Sequence, residues 1–147
     1  ACARRRRRAR SPPRAAVTSL PRTALPVRLD VGVYDIVSTV NVRDRQRVLG
    51  VTVRNFSDFP LRLTWLGFER ASREGFAPAD IGMQIGPPIP PRDSRTITMP
   101  PAIVEGREDL AALRVVAKDS LDRTWYADPG ALLDAFAASR MRATVGQ

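Results

Sequence analysis

From Val27 onward, apolar and polar residues alternate along this chain, and the period changes only near its end. Val27, Leu29, Val31 and Val33 fall on one face, with Arg28, Asp30, Gly32 and Tyr34 on the other, which is the period of a half-buried strand. A second strand is predicted over Arg47 to Arg54, with Val51 and Val53 inward and Gly50 marking a bulge. Asn55 to Pro60 is turn chemistry, and Pro60 suits the opening of the next strand. That strand, Leu61 to Glu69, places Leu61, Leu63 and Trp65 on one face. Its apolar parity then slips to Leu66 and Phe68 across Gly67, as a β-bulge produces.

Ile81, Met83 and Ile85 alternate with Gly82 and Gln84 and predict a short strand. Pro87 to Pro91 must be extended and is excluded from any central strand. Ile97 with Met99 marks a further strand, and Leu113, Val115 and Ala117 another. Asp119-Ser120-Leu121-Asp122 is expected to turn the chain into Arg123 to Tyr126, closing a hairpin. Beyond Tyr126 the period becomes helical. Asp128 is suited to cap the helix and Pro129 to fill its first turn. Leu132, Leu133, Phe136 and Ala137 form the expected apolar stripe, with Arg140 and Arg142 toward the end.

About seven short strands followed by one helix predict an all-β fold, an antiparallel β-sandwich with a C-terminal helix. The segment Asn55 to Phe68, read with Val115 to Tyr126, resembles immunoglobulin-like sandwiches of small bacterial proteins. The shared elements are a strand, a turn, a Pro-led strand ending in Gly-aromatic, and a late hairpin with Asp-Ser at its turn. The resemblance is architectural. It implies an immunoglobulin-like fold but no activity, because such folds host many functions. The paired cysteines and intervening Trp of antibody domains are missing.

Charge divides the chain more sharply than hydropathy does. Arg4 to Arg8, Arg10, Arg14, Arg22 and Arg28 are nine bases with no acid among them, whereas Asp30 to Gln147 holds 15 bases and 15 acids. Residues 1–26 are rich in Arg and Pro and poor in large apolar side chains, and are expected to form a disordered basic arm. Residues 27–128 are expected to form the sandwich and 129–147 the helix and tail. The arm lacks the apolar core of a secretory signal. It shares the Arg-rich, acid-free character of an organellar presequence, although Pro12, Pro13 and Pro21 interrupt any amphipathic helix. No apolar run nears the roughly 20 residues a membrane helix needs. Arginine outnumbers lysine 23 to 1, with Lys118 alone, and abundant Ala and Pro make GC-rich coding the simplest cause.

The chain has no histidine and one cysteine, Cys2. These counts exclude Ser-His-Asp and Cys-His nucleophilic sites, histidine-ligated zinc, and a cysteine metal cage within one chain. No P-loop or dinucleotide glycine fingerprint is present. No residue set implies a cofactor or a metal, and the expected function is non-enzymatic binding or scaffolding. The anticipated partner is another protein, held on a sandwich face or edge strand. The alternative is nucleic acid or another polyanion held by Arg4, Arg5, Arg6, Arg7, Arg8, Arg10 and Arg14, as in capsid proteins that pair a basic arm with a jelly-roll.

Four further features have both a chemical and a plain reading. Asp119 and Asp122 are the acids placed to meet a cation or act as a pair, or to serve a turn. Pro87 to Arg92 matches a PxxPxR ligand, or is a stiff loop. Asn55-Phe56-Ser57 matches a glycosylation acceptor, or is a turn. Trp65, Trp125, Tyr126, Phe68 and Phe76 beside Arg62 and Arg70 match a base-stacking platform, or are core.

Overall fold

A computed structural model describes residues 25–145 of the chain, except 38, 39, 41, 42 and 44. Among them, seven strands form two antiparallel sheets. The first joins β1 (Val27–Val37), β2 (Arg45–Asn55) and β5 (Ser94–Met99) in the order β1-β2-β5. The second joins β3 (Leu63–Glu69), β4 (Gly75–Phe76), β6 (Arg114–Asp119) and β7 (Thr124–Tyr126) in the order β4-β3-β6-β7. Among the described residues, two α-helices, α1 (Ile81–Gln84), a single turn, and α2 (Ala131–Val145), and two 3-10 turns, Pro101–Ile103 and Leu110–Ala112, accompany the sheets.

The two sheets share one core. Val27, Leu29, Val33, Leu49, Val51, Val53, Ile97 and Met99 enter it from the first sheet, and Leu63, Leu66, Phe68, Val115 and Ala117 from the second. Each large aliphatic or aromatic side chain so buried contributes on the order of 1.5–3 kcal/mol. The inward sets on β1 and β2 are those the alternation predicts. Leu132, Ala135 and Phe136 of α2 belong to the same buried cluster. This revises the helical stripe, because Leu133 and Ala137 are exposed. Residues 132, 135, 136 and 139 share one face at helical spacing, whereas 133 and 137 lie about 100° further round.

Three other expectations are corrected. Gly50 marks no bulge. The β1–β2 register runs without interruption from Val27 opposite Asn55 to Val37 opposite Arg45, with Gly32 opposite Gly50. The glycine pair instead makes a hollow for the Tyr34 ring, since a Cβ at Gly50 would lie 2.8 Å from that ring and one at Gly32 would also collide with it. The parity slip on β3 is real but lies earlier than Gly67. Leu63 opposes Asp119 and Trp65 opposes Lys118, leaving Thr64 as the extra residue and turning Trp65 to the outer face. The segment around Met83 is helical rather than extended. Ile81 and Ile85 are four apart, a spacing that serves both periods. The chain turns once to bury both, leaves Met83 exposed, and stops at Gly86 with φ +69°.

Candidate functional site

The β1–β2 ladder outruns the rest of its sheet. β5 accompanies β2 only from Leu49 to Arg54, so Val33–Val37 and Arg45–Val48 continue as a two-stranded hairpin. The second half of α2 packs beside this hairpin, and a cleft of about 580 Å³ opens between them. It is lined by Val33, Tyr34, Asp35, Arg45, Arg47, Ser139 and Arg142.

Each charged group in the cleft has a distinct situation. Arg47 donates from Nη1 to both carboxylate oxygens of Glu105, at 2.6 and 2.8 Å. Its guanidinium also lies 5.5 Å from the Phe136 ring centroid, so it forms a fixed wall. Arg142 donates from Nη2 to the Val33 carbonyl at 2.5 Å. That bond occupies a carbonyl of the edge strand β1, a neutral acceptor that supplies no counter-charge. Arg45 meets no carboxylate among the described residues, and neither does Arg142. Asp35 sits opposite Arg47 in the ladder but loses that partner to Glu105.

The hairpin also gathers exposed apolar side chains. Tyr34, Ile36, Val37 and Val40 are 48%, 47%, 44% and 94% exposed, although they occupy a stretch of only seven positions.

The residues singled out in the sequence are placed elsewhere. Arg4 to Arg8, Arg10 and Arg14 lie outside the described residues. Asp119 and Asp122 do not converge on a cation position. Asp122 is an exposed turn residue with φ +58°. Asp119 is 3% exposed and accepts four bonds: from the Leu121 and Arg123 amides at 2.9 and 3.0 Å, Arg123 Nε at 2.8 Å and Trp125 Nε1 at 3.0 Å. Burial alone would raise its pKa. The bonds from Trp125, from Arg123 through backbone and side chain, and from Leu121 outweigh burial and hold the carboxyl below its ordinary range. Among the described residues, no group of three or more His, Cys, Asp or Glu is placed to hold a metal ion.

Asn55 is a buried brace. Its amide donates to the carbonyls of Phe59, Ile89 and Pro90, and its Oδ1 accepts from the amide and hydroxyl of Ser57. Within the proline segment Ile89 is buried and bridged to Leu61, and Arg92 pairs with Asp58 at 2.9 Å. The five aromatic residues do not form one platform. Phe68 is fully buried, Phe76 and Trp125 pack against the core, and Trp65 and Tyr126 lie on the outer sheet face.

No helix among the described residues is long and apolar enough to cross a membrane. No family model, curated protein or solved structure matches the chain.

Proposed function

We propose that this chain is a non-catalytic binding module on an immunoglobulin-like sandwich, and that it holds a partner protein through the projecting end of the β1–β2 hairpin. The strand partition supports the fold reading. Strands one, two and five sit in one sheet and three, six and seven in the other, as in antibody constant domains, with the fourth strand paired to the third instead of the fifth. The observation that carries the function is the exposure of Tyr34 and Ile36 on one face of the projecting hairpin, with Val37 exposed on the other and Val40 94% exposed beyond it. Clustered exposed apolar area is the usual mark of a macromolecular contact. The test is affinity capture with the full-length protein and with an Ile36→Asp, Val40→Asp variant of unchanged Tm. Partners retained by the parent are expected to be lost by the variant. An identical retained set would remove the hairpin from the contact.

The charge division favours a second reading, in which the arm binds or packages nucleic acid or another polyanion through Arg4 to Arg8, Arg10 and Arg14. Both readings can hold for one molecule, since they use different parts of the sequence.

A further inference from the structure

We propose that the cleft between the hairpin and α2 receives a carboxylate from an acidic peptide segment, seated on Arg45 and Arg142. The proposal rests on the reading of the hairpin as the partner-binding face. It adds charge recognition on the face that Arg45 shares with exposed Val37, opposite to the face of Tyr34 and Ile36.

Charge selects the ligand class. Arg47 and Glu105 neutralise each other, leaving, among the described lining residues, Arg45 and Arg142 against Asp35, a net single positive charge. One carboxylate balances that charge. A phosphate dianion would exceed it and would face Asp35 in the same cleft. The guanidinium fork matches the paired oxygens of carboxylate and phosphate alike, so the choice between them rests on the charge balance. Asp35 in turn offers an acceptor for a hydrogen-bond donor brought by the same ligand, and a peptide brings one at nearly every residue.

The backbone favours an extended peptide. The Phe56 amide donates to the Pro26 carbonyl and the Asn55 amide to the Asp93 carbonyl. By the register, even-numbered residues of β1 therefore turn their backbone groups to β2, and odd-numbered ones turn theirs to the free edge. Arg142 occupies the Val33 carbonyl on that edge. Asp35 and Val37 continue the row beyond it, so a peptide strand can pair there while its carboxylate reaches the arginines.

The carboxylate can come from an acidic side group or from the C-terminus of the peptide, and the probes separate these sources. The full isotope-labelled protein is titrated with N-acetyl-Val-Glu-Val-amide, with the Gln counterpart, and with N-acetyl-Val-Gln-Val bearing a free carboxylate. Backbone amide shifts report both the site and the affinity. At least one carboxylate peptide is expected to move Asp35, Val37, Arg45 and Arg142. It should bind about tenfold more tightly than the neutral amide, the worth of one charge-assisted pair. Arg45→Gln, at a residue with no described ion-pair partner to lose, should erase that advantage and leave the neutral peptide unaffected.

Equal affinities, shifts located elsewhere, an advantage that survives Arg45→Gln, or tighter binding of inorganic phosphate would each overturn the site. Partner capture that fails for Ile36→Asp, Val40→Asp yet persists for Arg45→Gln would also reject the carboxylate site, and the hairpin reading would stand without it.

Discussion

Asp119 is a carboxylate whose surroundings are all donors, and its behaviour with pH follows from that. Its folded-state pKa is lowered, so as pH falls the unfolded protein takes up the proton first, from about pH 4. The stability it contributes is therefore complete at neutral pH and is lost as pH falls through the folded value. Asp119→Asn is expected to cost about 2–3 kcal/mol near neutrality, the scale of bonds to a charged group. Thermal melts carried from about pH 7 down to about pH 3 should show the gap between parent and variant closing. A gap independent of pH would mean that the charge contributes nothing. The turn at Asp119 was legible from Asp-Ser-Leu-Asp, but its burial was not, because the same four residues suit an exposed turn equally well. Asn55 is the parallel case: its local pattern reads as an acceptor site, and only the distant carbonyls of Ile89 and Pro90 reveal the brace.

Most elements were legible at the level of their period. β1, β2, β5 and β6 follow from the alternation of their apolar residues, and β7 from the turn before it, although Val116 of β6 is buried on the outer face as well. Misreadings arose where a spacing satisfies two periods, as at Ile81 and Ile85, or where two adjacent leucines compete for one helical face. The second case yields a direct prediction for α2. Phe136→Ala should cost about 3–4 kcal/mol as a buried large-to-small change, and should also remove the ring beneath Arg47. Leu133→Ala should change stability by less than about 0.5 kcal/mol, as exposed sites do. Denaturant titrations of the two variants check the assignment, and comparable losses would contradict it.

For the whole molecule, charge and architecture are separate variables. Arg4 to Arg8 precede a body whose bases and acids balance. If the arm holds duplex DNA, log affinity should fall against log salt by about 0.9 for each phosphate neutralised. Replacing Arg4 to Arg8 with Gln should then flatten the slope by about four to five, and an unchanged slope would exclude these arginines as the contact. The arm was plain in the sequence. The cleft was not, because Asp35, Arg45, Arg47, Ser139 and Arg142 come from segments far apart in the sequence, and each reads alone as a solvated polar residue. β1 has one further consequence. It begins at Val27, immediately after the arm, and ends at Val37, under the hairpin tip. Eleven extended residues span about 33 Å. The arm thus joins the body at one end of a single strand and the projecting hairpin lies at its other end, so a contact on the hairpin is made a full strand length from the point where the arm begins.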